Sequence, residues 1–245
     1  MNLRTSAAIL AGNAAGAASR ALGRGGGTSI AGILAGRIDP RIVERLAAQA
    51  GHGAIAVTGT NGKTTTSLML NRIARQAGLS PLHNQSGSNL MSGVAAMLVR
   101  AASPDGRIAR AKDRLAILEV DEATLPAIAT TVGPRAIVFT NLFRDQLDRY
   151  GEVDTVAEAW QRALARAPRD TTLVLNADDP AVAHLGERAQ QRVLYYGVDD
   201  TSAATEADQH ASDFRTCLRC GAELRYDATF YGHIGHWRCD NCGNR

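Results

Sequence analysis

Lysine is nearly missing from this chain. Of 27 basic residues only Lys63 and Lys112 are lysines, so arginine carries the generic surface charge, and one of the two lysines falls inside a glycine turn. Long apolar runs are missing too: none approaches the roughly 20 residues a membrane-spanning helix needs. The first 216 residues contain no cysteine, and all four cysteines crowd into two C-x-x-C pairs near the end, a pattern for metal in a reducing compartment and against a disulfide framework. Neither sign of charge dominates. The 27 basic residues face 24 acidic ones for a formal +3, too small and too dispersed to argue for nucleic acid. The first fifty residues hold six Arg against two acids, a segment compatible with an anionic membrane surface. The Ala-rich stretch Ser6 to Ala18 behind Arg4 imitates a signal peptide, but Asn13 interrupts it and bulky apolar residues are scarce, so a cytoplasmic protein is expected. What is present, 245 residues of which 45% are hydrophobic, suffices to bury a core in one large or two small domains.

The most informative stretch is AIAVTGTNGKTTT, Ala54 to Thr66, where an apolar run breaks into a glycine turn and then a helix. It reads as a phosphate cradle. Backbone N–H groups of Gly59, Thr60, Asn61 and Gly62, with the positive end of the following helix, bind phosphate oxygens without competing side-chain bulk. Lys63 then reaches the terminal phosphates, Thr64 offers a hydroxyl to Mg²⁺, and Thr65 continues the cradle. Val57 stands where the full G-x-x-x-x-G-K-[ST] pattern has its first glycine, leaving the shorter G-T-x-G-K-T loop.

Along the chain, residues 1–22 read as an Ala-rich helix and Gly23 to Thr28 as a glycine linker. Asp39-Pro40 starts a helix through Ile42, Val43 and Leu46, with Asp39 as N-cap and Pro at the first helical position. After strand Ala54 to Thr58 and the loop, a helix runs to about Ala77, Pro81 to His83 forms a short strand, Ser86-Gly87-Ser88-Asn89 turns, and Leu90 to about Ala101 is helical. Leu115 to Glu119 and Ala136 to Thr140 are apolar runs ending in polar groups, the mark of parallel strands buried on both faces. Ligands in such sheets gather at the strands' carboxyl ends, which sets Glu119 and Asn141 beside Thr64. A helix from Asp154 to Ala167, strand Thr172 to Leu175, a short helix and strand Val193 to Tyr196 complete a doubly wound α/β layer.

Cys217-x-x-Cys220 and Cys239-x-x-Cys242 are 18 residues apart, within the spacing of a zinc ribbon. Four thiolates would close the coordination shell, so the zinc is expected to be structural. His233 and His236 lie between the pairs and are alternative ligands.

Four blocks in order, TGTNGKTTT, Leu118-Glu-Val-Asp121-Glu122, Thr140-Asn141-Leu-Phe-Arg-Asp145-Gln146-Leu-Asp148-Arg149-Tyr-Gly151, and Asn176-Ala-Asp-Asp179, together resemble the central ATPase domain of the Mur ligase family. The resemblance implies a P-loop α/β fold with a mostly parallel sheet and helices on both faces, and a reaction that phosphorylates a carboxylate so that an amine can displace the phosphate. It implies that Lys63 and the loop amides hold the β- and γ-phosphates of ATP, that Thr64 and Glu119 ligate Mg²⁺, that Asn141 belongs to the nucleotide site, and that Asn176 lies near the adenine. Lys63 and Glu119 are the expected catalytic residues. Three features depart from the common pattern. Only 58 residues precede Gly59, Gln146 stands where relatives carry a metal-binding His, and no lysine beyond Lys112 is available for the carbamoylated position many relatives use.

The short N-terminus, Asp145-Gln146, the Glu119-x-Asp121-Glu122 run and the four-cysteine insertion resemble the isoglutaminyl synthase branch of the family, whose ligase subunits pair with a GatD-like glutaminase. That branch implies ATP-dependent amidation of the D-glutamate α-carboxyl in lipid II, at the inner face of the plasma membrane and without a transmembrane segment. The expected organisation is residues 1–38 as N-terminal helix and linker, 39–213 as central ATP-binding domain and 214–245 as zinc ribbon. The rest of the central domain and a C-terminal ligase domain are expected to be absent, which would leave this portion weak or inactive alone. A folylpolyglutamate synthase-like ligase and an inactive zinc-ribbon binding module are the competing expectations.

Overall fold

A computed structural model describes residues 2–22, 28–84, 88–143, 152–205 and 214–245. The glycine linker at 23–27, Ser86-Gly87 and the Asp145-Gln146 pair lie outside the described residues. In chain order the elements are α1 (Leu3–Ala21), α2 (Thr28–Ile38), α3 (Ile42–Ala47), β1 (Ala54–Thr58), α4 (Lys63–Gln76), β2 (Ser80–His83), α5 (Met91–Ala101), β3 (Arg114–Glu119), α6 (Leu125–Thr131), β4 (Ala136–Phe139), α7 (Glu152–Leu164), β5 (Thr172–Asn176), α8 (Pro180–Leu185), β6 (Arg192–Tyr196), β7 (Arg225–Tyr231) and β8 (Ile234–Arg238).

Strands β1 to β6 form one parallel sheet in the order β2-β3-β1-β4-β5-β6. The chain switches direction across the sheet at β1, so the phosphate loop leaves from the point where flanking crossovers diverge and open a crevice. The register Ala56 to Leu118 and to Ile137, and Ile137 to Leu173, lines up one buried face, on which Ile9, Leu98, Ile128 and Trp160 join a continuous core. Helix α4 covers the opposite face through Ala74 against Leu115 and Ile117. Among the described residues, no helix is long and apolar enough to cross a membrane.

Two local expectations need correction. Helix α3 begins at Ile42, and Asp39 is not its cap. Asp39 is buried and accepts hydrogen bonds from the Thr5 hydroxyl (2.7 Å), Arg45 (2.7 Å) and the Arg41 amide (3.2 Å), tying α1 to α3. Burial pushes its carboxyl up, but these hydrogen bonds and the Arg45 charge outweigh burial and hold it below the usual carboxylate range. Helix α2 follows directly on the expected linker. It lies close enough to α5 that a Cβ on Gly32 would sit 1.8 Å from the Ser92 carbonyl oxygen.

Candidate functional site

The loop between β1 and α4 gets its shape from the end of β4. Gly59 has φ +127°, and a Cβ there would lie 2.2 Å from Thr140 Oγ1 and 2.6 Å from the Asn141 carbonyl oxygen. The Thr60 amide donates to that carbonyl (2.9 Å), the Asn61 amide to Asn141 Oδ1 (2.8 Å), and the Thr140 hydroxyl to the Asn61 carbonyl (2.7 Å). Asn141 Nδ2 also donates to the Asn61 carbonyl (3.1 Å), so both ends of its amide engage the loop at Asn61, while the Thr64 hydroxyl engages Glu119. Gly62, with φ +83°, is the N-cap of α4, and Lys63, Thr64 and Thr65 form that helix's first turn. Its free N–H groups and dipole make this end a site for anionic oxygens.

Lys63 folds back over the loop, donating to the Gly59 carbonyl and to the Thr60 carbonyl (3.1 Å), and pairs with Glu122 Oε1 at 3.2 Å. The Glu122 backbone is pinned in turn by the indole N–H of the buried Trp160 (2.9 Å). A phosphate would compete with Glu122 for this ammonium.

Under the first turns of α4 several polar side-chain atoms are buried. The Thr64 hydroxyl donates to Glu119 Oε1 (2.9 Å), while Glu119 Oε2, Ser67 Oγ and His83 Nε2 are buried without a hydrogen-bond partner among the described residues. His83 pairs in register with Ile117, and Glu119 lies two residues further, so both point to the α4 face. Burial lowers the His83 pKa, only partly offset by the Glu119 charge. Asn84 clamps the strand end by accepting from the Glu119 amide (2.8 Å) and donating to its carbonyl (2.8 Å). A buried carboxylate oxygen without a donor, beside a hydroxyl, suits a hard cation such as Mg²⁺. Thr64 and Glu119, expected together at a Mg²⁺ site, are brought into contact here. Ser67, His83, Asn84 and Glu122 are additions that sequence reading missed, because their roles depend on strand register and helix docking.

Asn176 ends β5, with Nδ2 donating to the Thr140 carbonyl (2.9 Å) and Oδ1 accepting from the Asp178 amide (3.0 Å), beside the loop that shapes the cradle. Burial raises the pKa of neighbouring Asp178. Burial, then the charges of Asp179 and Asp178, push Tyr196 up to about 12, keeping its hydroxyl a donor to the Phe139 carbonyl (3.1 Å).

The four cysteines converge, their Sγ atoms all within 4.8 Å of one another. Each pair closes a turn through a glycine amide, Gly221 to the Cys217 carbonyl (2.8 Å) and Gly243 to the Cys239 carbonyl (2.9 Å). Hydrogen bonds from the Asn241 side chain, then the Ala222 backbone, draw Cys220 down to about 6. Cys242 is pushed up to about 12: the Asn244 backbone pulls it down, but burial and the surrounding thiols outweigh that. A compact four-sulfur set of this kind suits tetrahedral zinc and would supply a structural anchor, with no open position for a substrate. His233 and His236 are engaged elsewhere, with Asp179 (3.2 Å) and with the Val198 carbonyl (2.7 Å).

Residues 57–233 match the Mur ligase middle domain. The chain is 35% identical over 227 residues to the lipid II isoglutaminyl synthase (glutamine-hydrolyzing) subunit MurT of Staphylococcus aureus (strain COL), covering 92% of this chain and 48% of that protein. The MurT subunit of Streptococcus pneumoniae (strain ATCC BAA-255 / R6) is 32% identical over 243 residues, 99% of this chain and 52% of that one. The chain thus spans about half the length of the curated relatives it matches. Among solved structures, MurF from Acinetobacter baumannii aligns with a TM-score of 0.55 at 20% identity over 70% of this chain and 36% of that one. The MurF ligase from Thermotoga maritima, solved in complex with ADP, aligns with a TM-score of 0.53 at 16% identity over 66% and 37%. These two show a shared fold.

Proposed function

The chain belongs to the Mur ligase family through its middle domain, and on that premise we propose that it is the ATP-handling part of an amide ligase subunit of lipid II isoglutaminyl synthase type. In this reading the α-carboxylate of D-glutamate in the lipid II stem peptide attacks the γ-phosphorus of ATP, releasing ADP and leaving an acyl phosphate. Ammonia from a GatD-like glutaminase subunit then adds to the acyl carbon, phosphate departs, and loss of a proton leaves D-isoglutamine. Because the substrate is lipid-linked, the reaction belongs at the inner membrane face.

The observation that carries this reading is the Thr64–Glu119 pair under the phosphate loop, with Glu119 Oε2 buried and without a hydrogen-bond partner among the described residues. Bound there, Mg²⁺ would neutralise phosphate charge that otherwise repels an incoming carboxylate. Lys63 would leave Glu122 for the terminal phosphates, and the amides of Gly62 to Thr65 at the start of α4 would bind phosphate oxygens, whereas those of Thr60 and Asn61 are engaged by Asn141 and hold the loop's shape. Thr140, Asn141 and Asn176 hold the cradle in shape from β4 and β5.

The test is the ATP-dependent conversion of lipid II to its amidated form by the protein paired with its glutaminase, followed by mass spectrometry. Lys63→Ala should lower turnover by roughly 100-fold or more, the scale of losing one transition-state charge stabiliser. Normal amidation by Lys63→Ala, or ATP consumption without amidation by the unaltered pair, would defeat the assignment.

A further inference from the structure

The zinc ribbon is not a free appendage. Its hairpin runs along the segment after β5, with the Gly235 amide donating to the Asp178 carbonyl (2.9 Å) and the Trp237 indole to the Ala177 carbonyl (2.9 Å). The turn between β7 and β8 then reaches inward. There His233, fully buried, sets Nε2 3.2 Å from Oδ2 of the equally buried Asp179. That same oxygen accepts the Leu142 amide at 2.7 Å, while Asp179 Oδ1 accepts the Ala181 (2.9 Å) and Val182 (3.1 Å) amides of α8. The His233 ring also lies 4.4 Å from the Phe143 ring, which Tyr231 flanks at 5.3 Å.

Leu142 and Phe143 follow directly on the residues that shape the phosphate loop. The Phe143 amide donates to Thr60 Oγ1 (2.9 Å) and its carbonyl accepts from the same hydroxyl (3.3 Å). The loop's glycines have no side chains with which to fix themselves, so its shape hangs on the segment Thr140 to Phe143. That segment is braced from behind by Asp179 and by the ribbon's turn. Trp237 packs with Cys217 and Cys239, and from the hairpin that carries it hydrogen bonds and a ring contact run through Asp179, Leu142 and Phe143 to the nucleotide loop, where each lost buried partner is costly.

We propose that the ribbon turn holds the phosphate loop in its binding shape, with His233 as the positioning residue, so that zinc at the four cysteines and nucleotide at Gly59 to Thr65 favour each other's binding. The nucleotide half of this statement rests on the functional reading above; the bracing of the loop does not. By linkage, a brace that helps the loop bind nucleotide is itself tightened when nucleotide is bound.

Hydrogen–deuterium exchange at the amides of Thr60 to Lys63, measured on the whole chain, tests the brace with or without nucleotide. His233→Phe keeps the ring contact but removes one of the partners of Asp179, and should speed exchange at Thr60 and Asn61 about tenfold and weaken binding of a fluorescent ATP analogue about tenfold, the scale of one lost hydrogen bond to a buried charged group. His233→Asn, which retains a donor, should recover most of both. Stripping zinc with a chelator in Mg²⁺-free buffer should act in the same direction as His233→Phe. Tyr231→Ala, at an exposed ring, should give a smaller effect of the same sign and decides the matter if His233→Phe fails to fold. Arg219→Ala, which breaks the ribbon's pairing with Glu187 away from the loop, should leave loop exchange unchanged. Unchanged loop exchange both in His233→Phe and after zinc removal would overturn the inference. An unaltered chain that does not bind the ATP analogue, yet shows the exchange response, would remove the functional reading and keep the brace.

Discussion

The phosphate loop stands at the edge of a core that runs from Ile9 through Leu98 and Trp160 to Leu185, whereas among the described residues the four cysteines close over a small cluster of Ala183, Cys217, Leu224, Trp237 and Cys239, with Ala222, Tyr226 and Cys242 packed against it. In the first region hydrophobic burial fixes strands β1, β3 and β4, and the loop's geometry follows from them before any ligand arrives. In the second, two of the buried residues are themselves cysteines of the four-sulfur set, so little apolar area remains to fold the ribbon without an ion. The same chain therefore contains one site shaped by the hydrophobic core and one expected to depend on an ion for its fold.

The largest expected effect follows from that contrast. Removing zinc, or Cys239→Ser, should melt the β7–β8 hairpin while leaving the parallel sheet folded, since structural zinc supplies on the order of 10 kcal/mol in isolated zinc-binding peptides. Elemental analysis should give about one zinc per chain, and exchange across residues 225–238 should become fast while Ala116 and Ile137 stay protected. A metal-free chain with a protected hairpin would erase the distinction between the two regions.

An intermediate effect is expected within the preformed loop. Gly59→Ala forces a Cβ against Thr140 and Asn141 in a backbone conformation that L-residues avoid, a strain of about 1–3 kcal/mol. It should abolish measurable nucleotide binding by calorimetry yet lower the melting temperature only slightly, because the loop lies outside the core. Gly62→Ala meets nothing within 4 Å and bears only its φ of +83°, so its loss of affinity should be clearly smaller. Equal losses would mean that the loop is not held by β4.

Much of the first region was legible in the sequence. Apolar runs bounded by glycine located the parallel strands, and the rule that ligands gather at strand carboxyl ends brought Glu119 to Thr64, where they are 2.9 Å apart. Helix α2 was not legible, because Gly32 and Gly36 weaken local helix propensity and only the close approach to α5 accounts for Gly32. Nor was the pairing of Lys63 with Glu122, or of His233 with Asp179, which lie 59 and 54 residues apart. Such contacts are set by tertiary docking, about which residue spacing is silent. The cysteine cluster was legible for the opposite reason: its chemistry is written in the ligand spacing itself.

The smallest effect concerns the buried polar groups under α4, where His83 is neither core nor ligand of the ribbon. Its folded pKa lies below the roughly 6.5 of an unfolded histidine, burial being the cause and the Glu119 charge the partial opponent. Between the folded pKa and about 6.5 the unfolded chain binds more protons at this residue than the folded one, so its contribution to stability is complete above that window and is lost as pH falls through it. His83→Gln should therefore flatten the decline of stability below about pH 6.5, read from urea midpoints across a pH series. A cation bound between Thr64 and Glu119 would replace the attraction that now raises the His83 pKa by a repulsion and lower the folded pKa further, so Mg²⁺ should deepen the decline and extend it to lower pH in the parent chain but not in His83→Gln, with its onset at about pH 6.5 unchanged. If Mg²⁺ leaves the parent's pH profile where it was, His83 does not lie beside the cation, and the preformed site ends at Glu119.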